Sequence, residues 1–359
     1  MLKIVKDVEL LEEPLQSTQP PADVIAFNEL RSCADLFRLY ESKALDIQPP
    51  YQREVVWKPI EQSLFIDSLI KQLPIPSMCF SLDYKSQKWQ VVDGLQRMTA
   101  IVSFLNPKKS WKISDNEEID PLIRGVTNLE LANGNEQQNI LFSKVQNISL
   151  PITVIRCDPN RADHSEYLFT IFHRLNSGGK QLNHQEIRNC IFSGPYNDQL
   201  RLLDLTADWK KIKKSLPSRG ARFRSIELIL RFFALHEAAD SYSGNLPNFL
   251  NSYMRGKRFS ENTLLTNQEQ LFDDVSMHVS RALASLGSFP LSYTLLEAIM
   301  LGVAANLNRV AQTNDVALGL KIVGLADEHE FASDEAKVGT TKATSVRARV
   351  NKARKFFAS

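Results

Sequence analysis

An α+β architecture is predicted, with a mixed α/β half followed by an all-helical half. Three features carry that prediction. Strand-like runs rich in apolar and β-branched residues, at Met78–Val92 and Ser149–Cys157, alternate with helical patterns in the first 200 residues. From about Tyr196 onward almost only helical periodicity is found. The chain has 359 residues, which favours two cores over one. The expected organisation is a flexible lead-in over 1–23, a mixed domain over 24–200 and a helical domain over 201–359 that ends in a basic helix.

The elements follow in order. "PLQSTQPPA", 14–22, reads as a lead-in because its prolines and small polar residues punctuate structure. The segment from Val24 to Leu45 should contain one helix, with Leu30, Leu36, Phe37, Leu39 and Tyr40 as its apolar positions. "DIQPPYQREVVW" follows, and its two prolines favour an extended edge or loop. Pro59–Leu73 is a helix, since Pro59 suits a first turn and Leu64, Ile66, Leu69, Ile70 and Leu73 recur at helical spacing. "PIPSMCFSLDYKSQKWQVVDG" gives two strands around a polar turn at Tyr84–Lys88, and Met98, Ile101, Val102 and Leu105 give the next helix. Residues 106–147 are polar and weakly patterned, as in an insertion with short elements. "SLPITVIRC" from Ser149 is a strand, and a helix covers Glu166–Leu175. Asn176-Ser177-Gly178-Gly179 would stop that helix with a left-handed turn. Asn183 and Glu186 have the spacing of an N-cap and its reciprocal partner. "SIELILRFFALHEAA", "LSYTLLEAIMLGVAANLNRVA" and "ATSVRARVNKARKFFA" are the main helical runs of the second half.

Composition excludes several classes. At 43% hydrophobic and 23% charged the chain is ordinary for a globular protein, and its net charge of +2 announces no global field for nucleic acid. Cys33, Cys79, Cys157 and Cys190 form no C-x-x-C pair and read as reduced, buried thiols. No His/Cys grouping has zinc-ligand spacing. The charged N-terminus does not resemble a signal peptide, and no apolar run approaches a membrane span, so a cytoplasmic protein is expected.

Three stretches are candidates for chemistry. In "WQVVDGLQRMTAI" an apolar strand meets Asp93-Gly94-Leu95-Gln96-Arg97 where a helix starts. A glycine turn at a helix N-terminus is an anion site, because unpaired N–H groups and the helix dipole favour negative charge. Arg97 in the first turn opposes that dipole, and a bound phosphate would compensate it. Equally, Asp93 could cap the helix and Arg97 pair with Asp93. Tyr51-Gln52-Arg53, with Trp57 close behind, makes a polar edge suited either to phosphate or base contact or to a surface loop. In "FHRLNSGGKQLNHQEIRN", Arg174, Asn176 and Lys180 surround two glycines, though the spacing is not that of a P-loop. His173 and His184 read as ordinary polar surface residues. The basic C-terminal stretch, with Arg347, Arg349, Lys352 and Arg354, is either a DNA-phosphate contact or the solvated face of a packed helix.

Taken in order, "PPYQREVVW", "WQVVDGLQRMTAI" and "LFTIFHRLNSGGKQLNHQEIRN" resemble the GmrS-type N-terminal domain of GmrSD modification-dependent restriction systems. "IELILRFFALHE" and "LPNFLNSYM" resemble the helical region that follows it, so the likeness covers roughly 25–310. The resemblance implies a ParB/sulfiredoxin-like mixed domain that binds a nucleoside triphosphate with Mg²⁺, its base unknown. It implies phosphate or nucleotide contacts by Gln52, Arg53, Gly94, Arg97, Arg174 and Asn176, and catalytic roles for Asp93, Gln96 and Arg97. Asp93 would hold Mg²⁺ through water or fix Arg97. The family motif is D-G-Q-Q-R, and Leu95 stands here where the first Gln is usual. The complete enzymes carry a His-Asn-His-type nuclease. After residue 200 only His236, His278 and His329 occur, in no such context, and "DEHEF", Asp327–Phe331, reads as a loop. The expected function is therefore an NTP-binding, NTP-hydrolysing regulatory component of a phage-defence or restriction system. Its nuclease would be supplied by another chain, DNA and a second copy are its candidate partners, and no membrane is expected to be involved. The alternatives are a nucleotide-switched DNA-binding module without turnover, and a stand-alone nuclease, for which no paired acidic metal ligands are visible.

Overall fold

The computed structural model describes residues 20–47, 57–175, 182–217, 223–332 and 342–358. The chain divides into two compact units, one of Thr18–Leu182 and one that includes Asn183–Ser359.

The first unit is built on a five-stranded mixed sheet in the order β1-β5-β3-β4-β2. Its strands are β1 (Ile25–Ser32), β2 (Leu45–Asp46), β3 (Met78–Asp83), β4 (Lys88–Asp93) and β5 (Ser149–Cys157). β3 and β4 form the expected hairpin, while β1 runs antiparallel and β3 parallel to the intervening β5. Strand alternation gives the sheet two faces. Met78, Phe80, Val91, Leu150, Ile152 and Val154 line the first, against α1 (Cys33–Glu41), α2 (Pro59–Ile70), α3 (Leu95–Leu105) and α5 (Glu136–Asn147). Val92, Ile155 and Cys157 alternate to the second face and are buried too, and α6 (Ala162–Leu175) packs against β4. All four cysteines are free and buried, and burial pushes the Cys33, Cys79 and Cys157 thiols up to about 12.

Two expectations for this unit need correction. β1 precedes the single helix expected after Val24. It is an edge strand with Ile25, Phe27 and Leu30 exposed, so it lacks the buried alternation by which a strand is read. Residues 106–147 are also more than an insertion of short elements. Ile113, Ile119, Ile123, Leu131, Leu141 and Val145 enter the main core, and α5 spans 12 residues. Polar stitching holds this segment. The buried Asn128 amide donates to the carbonyls of Phe104, Asn106 and Lys109, and its oxygen accepts the Trp111 N–H at 2.8 Å. Capping boxes at Thr127/Glu130 and Asn135/Gln138 start α4 (Asn128–Asn133) and α5.

The second unit is helical as expected. α7 (His184–Ile191) opens it with the predicted capping box, in which Asn183 and Glu186 exchange bonds of 2.9 Å. α8 (Pro195–Asp204), α9 (Ala207–Lys213), α10 (Arg224–Ala238), α11 (Leu246–Lys257) and α12 (Asn262–Ser285) follow, then α13 (Tyr293–Ala305), α14 (Leu307–Val310), α15 (Asp315–Ala326), α16 (His329–Ala332) and α17 (Ala343–Ala358). Trp209, Phe232 and Phe233 pack their rings around Phe272. The "DEHEF" stretch, expected as a loop, ends in α16 because Phe331 buries its ring. His184, expected at the surface, is buried on a helix whose every residue is buried; His173 is half-buried.

Charge is also buried here. Arg231, 4% exposed, donates from Nε to Glu297 Oε2 at 2.5 Å, and Arg349 of α17 shares that carboxylate's field. Removing the acid would leave a desolvated guanidinium without its counter-charge. Glu297→Ala is therefore expected to lower unfolding free energy by about 3–5 kcal/mol. Urea denaturation checks this; a loss under about 1 kcal/mol would mean that the pair does not hold α10 to α13.

Candidate functional site

The site begins where β4 ends. A β-bulge between Cys79 and Phe80 shifts the β3–β4 register, so Cys79 pairs with Asp93. Bulges of this kind re-aim a side chain at a strand end. Asp93 is left partly exposed, while Val91 and Val92 just before it are buried. Gly94 then turns the chain with φ +95° and serves as N-cap of α3. Glycine is required twice over. The positive φ strains any L side chain, and a Cβ would lie 2.6 Å from Met78 Cγ.

No side chain caps α3. Its first intrahelical bond runs from the Met98 N–H to the Gly94 carbonyl at 2.9 Å, so the N–H groups of Leu95, Gln96 and Arg97 precede the helical ladder. Asp93 does not act as the N-cap, so one of the two open readings of this residue is settled against capping. The other is present: Arg97 Nη2 donates to Asp93 Oδ2 at 2.9 Å. The guanidinium also donates to the carbonyls of Pro76 and Ser77, just ahead of β3. Burial pulls the Arg97 guanidinium below its ordinary value, and Asp93 counters that by charge and hydrogen bond. Arg97 thus buckles the first turn of α3 to the β3 lead-in.

Gln96 faces a different partner. Its Oε1 accepts the Trp57 N–H at 3.3 Å, and Gln62 of α2 donates to the Trp57 carbonyl at 3.3 Å. Both backbone groups of Trp57 are therefore held, and the end of "PPYQREVVW" is joined to the Asp93–Arg97 turn. Tyr51, Gln52 and Arg53 lie outside the described residues, as do Asn176 and Lys180. Arg174 is exposed in the last turn of α6, on the helix that rests against β4. Leu95, 7% exposed, packs into the main core. Sequence reasoning missed the Pro76 and Ser77 carbonyls and the Trp57 backbone, since main-chain partners leave no signature of residue type. A groove along α5, lined by Gln72, Glu136, Asn139, Ser143 and Asn147, shares no residue with this site.

The four C-terminal cations meet partners within the helical unit. Arg347 donates to the carbonyls of Asp240 and Tyr242, Arg354 to that of His236, and Lys352 pairs with Glu328 at 2.7 Å. Arg349 is 6% exposed, and burial pulls its guanidinium down while Glu297 holds it up. These contacts fasten α17 as a packed helix, with Arg347 still exposed, Lys352 and Arg354 half-buried and Arg349 alone buried among the four.

Residues 33–193 match the family of the GmrSD restriction endonuclease, N-terminal domain. The matched segment contains the whole Asp93–Arg97 turn and runs through α7. No curated protein and no solved structure matches the chain. No helix among the described residues is long and apolar enough to cross a membrane.

The Asp93–Arg97 turn within the matched segment should not tolerate a side chain at its pivot. Gly94→Ala is expected to cost about 1–3 kcal/mol from backbone strain, with displacement of Met78 adding to it. Thermal melting of the variant checks the claim, and an unchanged midpoint would refute the tight turn.

Proposed function

We propose that this chain is the nucleoside-triphosphate-binding component of a restriction system that acts on modified DNA, with the nuclease supplied by another chain. The description of the matched family as a restriction-endonuclease domain supports the first part of that reading. The observation that carries the second is the α3 N-terminus, a helix end without a side-chain cap that is bordered by a partly exposed carboxylate. Backbone N–H groups and the helix dipole make such an end a phosphate seat. Gln96 ties that seat to Trp57, whose preceding residues include Gln52 and Arg53.

Mg²⁺ fits this seat in one way. Among the described residues no group of three or more His, Cys, Asp or Glu could hold a metal. Asp93 alone, with one oxygen bonded to Arg97, could accept Mg²⁺ only alongside phosphate oxygens and waters. That is how Mg²⁺ is commonly held at triphosphates. The ion would neutralise phosphate charge, and Asp93 would position it.

A nucleotide switch with little turnover is the second reading, and one observation favours it. Arg97 is already engaged by Asp93 and two carbonyls, and Gln96 by Trp57, which leaves no side chain of the turn except Asp93 to orient an attacking water. The test is titration of the full chain with ATP, GTP, CTP and UTP in Mg²⁺, with phosphate release measured in parallel. At least one nucleotide should bind, and Asp93→Asn should weaken that binding tenfold or more at a temperature where the variant is still fully folded by circular dichroism. Failure of all four to bind folded protein would overturn the assignment. Release that exceeds background would select hydrolysis over the switch.

A further inference from the structure

We propose that the outward face of α9, formed by Lys210 and Lys211 together with the C-cap residue Lys214, is a duplex-DNA phosphate contact. The surface lies in the helical unit and is independent of the nucleotide seat.

The sequence contains two comparably basic runs, and the structure separates them. Between Trp209 and Ile226 stand seven Lys or Arg and no acid, in a chain whose net charge is only +2. The C-terminal run matches it in composition, yet Arg349 is buried, and Arg347, though exposed, and Arg354 spend their guanidinium groups on backbone carbonyls. The α9 run differs because the helix buries the opposite side. Trp209 and Ile212 are at most 1% exposed, and Trp209 packs on Phe272 of α12 at 5.4 Å. With that edge inward, helical geometry turns positions 210, 211 and 214 outward together, and all three are exposed.

The cations of the run do not all qualify. Lys213 is bound to the carboxylate and carbonyl of Asp204, and Arg224 stacks over Tyr293 at 4.0 Å, so neither is counted. Lys211 makes one exposed pair with Asp208 at 2.9 Å, a contact that a phosphate can replace at small cost. Lys210 and Lys214 have no ion-pair partner among the described residues. Asp208, in the first turn of α9, is the acid of this surface, and it is Lys211 that pairs with it. The helix C-terminus adds a reason for lysines to gather here, since the dipole favours cations at that end. That reason accounts for a last-turn lysine or two, but not for an acid-free run that extends past the helix. Neighbouring outward lysines about 5–6 Å apart suit a row of backbone phosphates, and they would read charge and not sequence.

The test is fluorescence anisotropy of the full chain with a labelled DNA duplex across a salt series. It compares the wild type, a triple variant with Lys210, Lys211 and Lys214→Glu, and a charge-matched control with the exposed Lys108, Lys342 and Lys355→Glu. Since the α9 lysines are exposed, the triple variant should melt like the wild type; a Lys→Ala version covers any loss from new acidic contacts. The expected result is at least a tenfold loss of affinity for the α9 variant, with the log–log salt slope reduced by about 2 to 3. The control should stay within threefold of wild type. Equal losses in both variants, unchanged binding in the α9 variant, absence of duplex binding by wild type, or binding to RNA or anionic vesicles in its place would each overturn the proposal. Nucleotide titration of the same variants separates this result from the other site, because binding there should not change.

Discussion

The turn from β4 into α3 can be closed in only one way. A left-handed residue is needed at position 94, and Met78 leaves no room above it for a side chain. With glycine there, β4 ends against β3 and α3 leaves at once, its first N–H groups unburdened by a capping side chain. Everything else at the site is arranged around that corner. Asp93 stands on its strand side, Gln96 and Arg97 on its helix side, and each of the latter two reaches a different piece of chain.

Arg97 shows why the corner is stable with a cation at the unfavourable end of a helix. The sequence raised the prospect that a bound anion offsets this charge. In the fold, Asp93 and the carbonyls ahead of β3 already do so. Those carbonyls are available because the lead-in "PIPS" runs before the strand proper, where no ladder uses them. The consequence for a phosphate is specific. Its attraction to the seat would come first from backbone N–H groups and the helix dipole, with Arg97 holding the geometry that aims them.

How far the sequence could be read depended on whether neighbours in sequence were also partners in space. The β3–β4 hairpin, α2 and the Asn183/Glu186 capping box are local, so spacing and residue type revealed them. β1 was illegible because an exposed edge strand hides its register, which is set by β5 more than a hundred residues later. Residues 106–147 read as polar because their core contributions are scattered and their cohesion runs through Asn128, a single buried amide bonded to three carbonyls. Arg347 and Lys210 are alike in sequence terms. Both are exposed, but Arg347 donates to the carbonyls of Asp240 and Tyr242 and Lys210 has no ion pair among the described residues, a distinction that only the packing of α17 and α9 decides.

Leu95 can be judged by the same criterion. Where the related motif has Gln, an apolar residue looks like the loss of a phosphate- or water-binding amide. Yet position 95 points its side chain into the core, among residues such as Met98 and Ile101 that are fully buried. An amide there would need a partner away from solvent or would cost about 1–3 kcal/mol. In this chain the leucine removes that demand and fastens the first turn of α3 from below. The N–H groups above it are backbone and are unaffected by the exchange. The departure from the motif therefore bears on how the seat is supported. Under the proposed reading, a phosphate would be received by the N–H groups of the uncapped first turn that Gly94 starts.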